Sequence, residues 1–95
     1  MIINLSPLFE AHIHAVVRGD VVIMNGVSFD FSPLPLEGIL PRHAINSDYF
    51  GGDVYRHANG EIELTLRSPA SPESSEAAMF PKPIYIQEGT VEFPK

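Results

Sequence analysis

Apolar and polar residues alternate with a period of two through most of this chain. In residues 11–18, Ala11, Ile13, Ala15 and Val17 fall on one side and His12, His14, Val16 and Arg18 on the other, the pattern of a half-buried β-strand. Gly19-Asp20 supplies a turn, and Val21, Val22, Ile23 and Met24 follow as a short, largely β-branched run. After Asn25-Gly26, the residues Val27, Phe29 and Phe31 alternate with Ser28 and Asp30, which collects the apolar set on one face. Asn-Gly between two such runs is the strongest short-range hairpin signal, because both residues tolerate positive φ. These three segments predict an antiparallel meander. A second Asn-Gly pair, Asn59-Gly60, joins residues 53–57 to residues 61–67. There Ile62, Leu64 and Leu66 point inward and Glu61, Glu63, Thr65 and Arg67 outward.

Breakers divide these runs. Residues 32–41 hold three prolines and a glycine, so they predict an ordered loop rather than a strand. Leu34, Leu36 and Ile39 suit a loop that covers one edge or mouth of the core, since solvated linkers are poor in large apolar residues. Residues 41–50 have room for one helical turn, which Gly51-Gly52 would end. Residues 68–76 are rich in Ser, Pro and Glu and predict an exposed loop. Ser71 with Pro72 and Glu73 offers the alternative of a cap for one or two helical turns reaching Met79. Residues 83–88 predict a last strand, with residues 91–93 as a hairpin partner across Glu88-Gly89-Thr90. Pro81, Pro83 and Pro94 suit edge positions. The expected fold is all-β: a small antiparallel sandwich or partly open barrel of about six or seven short strands built from hairpins, with residues 1–95 forming one domain.

Composition narrows the function classes more than it names one. A chain of 95 residues, 44% hydrophobic, can bury roughly 60–65% of its unfolded surface in one small core. It has no cysteine, so packing, helped by self-association, must hold it without disulfides or thiolate zinc sites. Met1-Ile2-Ile3-Asn4-Leu5 lacks a basic leader and a long apolar core, and no apolar run approaches the roughly 18 residues of a membrane span. A soluble, intracellular protein is expected. The net charge of −6 would repel a phosphate backbone unless the basic residues clustered. Arg18, Arg42, Arg56 and Arg67 are scattered, and Lys82 and Lys95 stand apart near the C-terminus, so no nucleic-acid partner is expected.

Candidate chemistry is sparse. His12 and His14, two apart on one strand, could both reach one metal ion. A third ligand would have to come from His43, His57, Asp30 or Glu10, and a solvent-facing strand surface is the more ordinary reading. Arg18-Gly19-Asp20 matches a tripeptide that integrins bind, but between two strands it is plain turn chemistry. Asp48, Asp53, Glu61 and Glu63 could supply a carboxylate pair, although Glu61 and Glu63 together also suit a solvated strand face. No serine stands in a nucleophile-elbow context and Gly51-Gly52 is too short to cradle a phosphate. Neither enzyme activity nor a cofactor is expected. Contact residues are sought among Tyr85, Leu34, Leu36, Ile39 and Tyr49, because aromatic and large apolar side chains concentrate at interface cores. Phe50 and Tyr55 are alternatives, with Phe50 better suited to the core.

Taken together, Asn25-Gly26 leading into Phe29-Asp30-Phe31-Ser32-Pro33-Leu34-Pro35, then Glu61-Ile62-Glu63-Leu64-Thr65-Leu66, then Phe80-Pro81-Lys82-Pro83-Ile84 with Glu88-Gly89, resemble small uncharacterised proteins of tailed-bacteriophage and prophage genomes, encoded near structural and tail genes. The resemblance covers about two-thirds of the chain, residues 21–94, and its motifs are turns and strands, so it carries over no catalytic residue. It implies a non-enzymatic protein that acts through protein–protein contacts, in tail assembly or as a minor virion component. The partner would be a phage structural protein or further copies of the chain in a homo-oligomer. The location would be the cytoplasm of the bacterial host, or the virion. The competing expectation is a metal- or small-ligand-binding β-barrel, with or without activity, centred on His12 and His14.

Overall fold

A computed structural model describes residues 1–9, 12–70 and 79–93. Among them lie nine strands: β1 Ile2–Phe9, β2 Ala15–Arg18, β3 Val21–Met24, β4 Val27–Asp30, β5 Ile39–Leu40, β6 Val54–Arg56, β7 Ile62–Ala70, β8 Ile84–Tyr85 and β9 Glu88–Thr90. One 3-10 turn, Arg42–Ala44, falls where a helical turn was expected. The strands form a five-stranded sheet in the order β5-β6-β7-β1-β8 and a four-stranded sheet in the order β4-β3-β2-β9. The arrangement is sandwich-like and does not close into a barrel.

The meander β2-β3-β4 is antiparallel throughout. The chain's two Asn-Gly pairs, one in this meander and one between β6 and β7, fold differently. Asn25 (φ 49°) and Gly26 (φ 84°) both take positive φ, and Met24 pairs directly with Val27, so the loop has two residues and the type I′ twist that suits a hairpin. At the second pair only Gly60 (φ 91°) has positive φ. Gly60 N–H donates to His57 O and His57 N–H to Glu61 O, at 2.9 and 2.8 Å. That is a three-residue loop, a type I turn followed by a glycine bulge.

The N-terminal strand departs from the sequence reading. No element was expected over residues 1–9, yet β1 lies parallel to β7 over eight residue pairs, Ile2 against Glu63 through Phe9 against Ala70. Central strands of a parallel pair need no strict alternation, and Pro7 is tolerated where one backbone edge is left unpaired. β7 also runs past Arg67 to Ala70, so Ser68, expected in an exposed loop, is a buried strand residue. The helical turns considered from Ser71 to Met79 fall outside the described residues except at Met79, which is helical. The closing hairpin is replaced as well. β8 pairs with β1 while β9 pairs with β2, so the chain crosses from one sheet to the other at Ile86-Gln87. Glu88–Thr90 is strand rather than loop. Pro83 directly precedes β8, an edge strand of its sheet.

Both sheets contribute to one core. Ile3, Val54, Ile62, Leu64 and Leu66 come from the larger sheet, Ala15, Val17, Val22 and Met24 from the smaller, with Phe31, Phe50 and Val91 between. Phe50 is fully buried and bridges to β7 opposite Leu66. Its ring meets Phe29 and Phe31 edge-on, with centroids 5.0 and 5.8 Å apart, the T-shaped geometry that aromatic quadrupoles favour.

Candidate functional site

Arg56 is the most heavily bonded side chain described. Val54 and Arg56 share the inward face of β6, and the Arg56 side chain is only 11% exposed. Its Nε donates to Leu34 O at 2.6 Å, Nη1 to Gly60 O at 2.9 Å, and Nη2 to Phe31 O at 3.0 Å and to Asp20 Oδ2 at 2.9 Å. The planar guanidinium thus joins the Pro-rich loop, the bulged hairpin and the β2–β3 turn of the opposite sheet. Asp20 is therefore engaged internally, and the Arg18-Gly19-Asp20 tripeptide is built into this clamp. Nothing in the charge pattern pointed to Arg56; the inward parity of Val54 two residues earlier does.

On the outer face of the larger sheet, Asn4 Nδ2 donates to Glu63 Oε2 at 2.7 Å and Glu63 Oε1 meets His57 Nε2 at 2.7 Å. The Tyr55 ring stands edge-on to His57. The bonds from Asn4 and His57 hold the Glu63 carboxyl below its ordinary value of 4.5, outweighing the small effect of burial. Glu61 instead pairs with the Met1 amino group. The two carboxylates have separate partners and do not form an acid–base pair.

His12 and His14 lie just before β2, both exposed, held by Asn25. Asn25 Oδ1 accepts from His14 N–H at 2.7 Å, and Asn25 Nδ2 donates to His12 O at 2.8 Å and to the Tyr49 hydroxyl at 3.3 Å. His43 is on the 3-10 turn and His57 is paired with Glu63. Among the described residues no group of three metal-ligating side chains gathers around His12 and His14.

The contact candidates divide into two sets. Leu34 and Tyr49 pack against the core. Leu36, Ile39 and Tyr85 are exposed, at 60%, 60% and 75%. Strand register places Ile39, Tyr55, Glu63, Ile2 and Tyr85 in one row across all five strands of the larger sheet, ending in exposed side chains at both edges.

The sheet edges are unequal. β5 and β8 have two residues each, and β9 carries a charge and a glycine in three. β4 is longer, four residues with neither proline nor lysine and with its one charge, Asp30, at the end, and its Val27 is 51% exposed. Because Met24 and Val27 close a two-residue hairpin, Val27 and Phe29 bond to β3 and the N–H and C=O groups of Ser28 and Asp30 face outward. Beside the end of β4 opens an apolar cleft of about 250 Å³, lined by Asp30, Phe31, Pro33, Leu34, Pro35 and Leu40. Sequence reasoning placed the strand but not its edge position, which depends on sheet order.

Fold and surface together define a small two-sheet β-domain with an open strand edge at β4 and no assembled catalytic or metal centre among the described residues. The chain matches no protein-family model, no curated protein and no solved structure.

Proposed function

We propose that this is a non-enzymatic protein that works through protein–protein contacts, self-associating through the edge of β4. The open β4 edge carries the reading. Strand edges of this length and composition are normally shortened, charged or covered, because they template pairing with another chain. Two copies related by a twofold axis would pair their β4 strands antiparallel about Phe29. Ser28 of one copy then stands opposite Asp30 of the other, so the two aspartates do not face each other. In the same register Val27 of one copy comes opposite Phe31 of its mate, at the mouth of the Pro- and Leu-lined cleft.

The resemblance to small proteins of tailed phages supplies the setting: tail assembly or a minor place in the virion, with a phage structural protein as partner. The row from Ile39 to Tyr85 on the other sheet is the surface such a partner would meet. The test is capture with the tagged chain from cells producing a tailed phage that encodes it, beside the double variant Ile39→Ser, Tyr85→Ser. Tail or capsid proteins retained by the native chain and lost by the variant are the expected result. Retention of host replication proteins alone, or equal retention by both forms, would overturn this setting.

A further inference from the structure

The two Asn-Gly pairs differ in a way that bears on their chemistry. Asn-Gly is the sequence in which a backbone nitrogen most readily attacks the preceding side-chain amide, because glycine offers no side chain to hinder the approach. The Asn59 side chain folds over its own following peptide: Oδ1 accepts the N–H of Glu61 at 2.9 Å, two residues on. That closed turn brings Cγ beside the Gly60 nitrogen, and the N–H on Oδ1 stabilises the oxyanion that attack creates. Asn59 is exposed and its Nδ2 makes no bond among the described residues, so water can protonate the departing amine. Among the described residues, the bond from Gly60 N–H to His57 O at 2.9 Å is what restrains the nucleophile.

Asn25 has the opposite arrangement. Its Oδ1 and Nδ2 are tied instead to His14 N–H, His12 O and the Tyr49 hydroxyl, at 2.7, 2.8 and 3.3 Å. Attack by Gly26 requires all three bonds to break.

From this contrast we infer that Asn59 is a selective deamidation site and that the fold protects Asn25. The Gly60 N–H loses its proton to hydroxide, the nitrogen bonds to Cγ of Asn59, and the Cγ–Nδ2 bond breaks to release ammonia. Water then opens the resulting succinimide to aspartate or isoaspartate. The product adds a negative charge next to Glu61. In the isoaspartate form it also adds a backbone atom beside Gly60, whose carbonyl Arg56 holds.

Trypsin separates the two sites, since residues 19–42 hold Asn25 as their sole asparagine and residues 57–67 hold Asn59. The folded protein is aged at mildly alkaline pH, digested, and the two peptides weighed for the change from amide to acid, with a sample aged in denaturant as the reference. In the folded protein Asn59 should convert on the order of tenfold faster than Asn25, the difference that extra hydrogen bonds of ordinary strength impose. In denaturant the two should convert at similar rates. Tyr49→Phe should raise the rate at Asn25 and leave Asn59 unchanged. Equal rates in the folded protein, or faster loss at Asn25, would overturn the inference, whatever the state of association.

Discussion

Single side chains carry unequal loads in this fold. Phe50 fills the space between the sheets with two aromatic neighbours, so Phe50→Ala should cost about 3–5 kcal/mol, read from denaturant unfolding. Ser68 has the reverse situation: it is 2% exposed and its Oγ has no hydrogen-bond partner among the described residues. Ser68→Ala removes a hydroxyl that gains nothing from burial, and stability should stay level or rise by up to about 1 kcal/mol; a clear loss would mean that the hydroxyl is bonded. Glu63 gives a pH signature. Its carboxyl is lowered in the fold from an ordinary 4.5, so its contribution is complete above that value and disappears as pH falls through the lower folded value. The pair is partly exposed and the effect small, below about 1 kcal/mol. Glu63→Gln should remove this part of the acid dependence, seen as a flatter plot of stability against pH below 5 or so. At this scale alternation read Ile62, Leu64 and Leu66 as buried, which they are, whereas Val27, in an equally strict run, is 51% exposed because its strand lies at a sheet edge. The sequence was uninformative about Ser68, because a Ser-Pro-rich stretch resembles a loop until a parallel neighbour covers it.

Beyond the strand ladders and the shared core, Arg56 ties together segments that no ladder connects. Its side chain ties β6 to the Pro-rich loop, the bulged hairpin and the turn before β3. Arg56→Met keeps the stem but leaves three carbonyls and Asp20 without their donor, and should cost about 3–5 kcal/mol. Asp20→Asn, at a side chain 39% exposed, should cost less than about 1 kcal/mol; comparable losses from both would show that the ion pair, rather than the carbonyl bonds, dominates. The local hairpins β3-β4 and β6-β7 were legible because turn chemistry and alternation are encoded within a dozen residues. β1 against β7 and the separation of β8 from β9 were not, since parallel and cross-sheet pairing rests on contacts some sixty residues apart in the chain. The same limit concealed Arg56, whose partners belong to four different segments.

For the whole molecule, sheet order decides which surface is left open. The larger sheet ends in two-residue strands, β8 covering only Ile2 and Ile3 of β1 and leaving the Pro7-bearing remainder of that strand open among the described residues, and the smaller ends on one side in β4. The contact residues expected from composition were partly placed by this order: Tyr85, Ile39 and Leu36 are outside, whereas Leu34 and Tyr49 help to fill the core. The alternation of Val27–Phe31 marked β4 as a strand but not as an edge, because an edge strand and a central strand can share the same alternation. Pairing of two β4 edges would leave the Ile39–Tyr85 row of each copy free for a further partner.

Sedimentation equilibrium over a wide concentration range, on the native chain and on Ser28→Pro, tests the central claim most directly. Proline at position 28 removes an outward N–H and leaves the β3 ladder intact, since Ser28 does not bond inward. The account predicts a monomer–dimer equilibrium for the native chain and a monomer of nearly unchanged melting temperature for the variant. A native chain that stays monomeric throughout, or a variant that dimerises as well as the native chain, would contradict it.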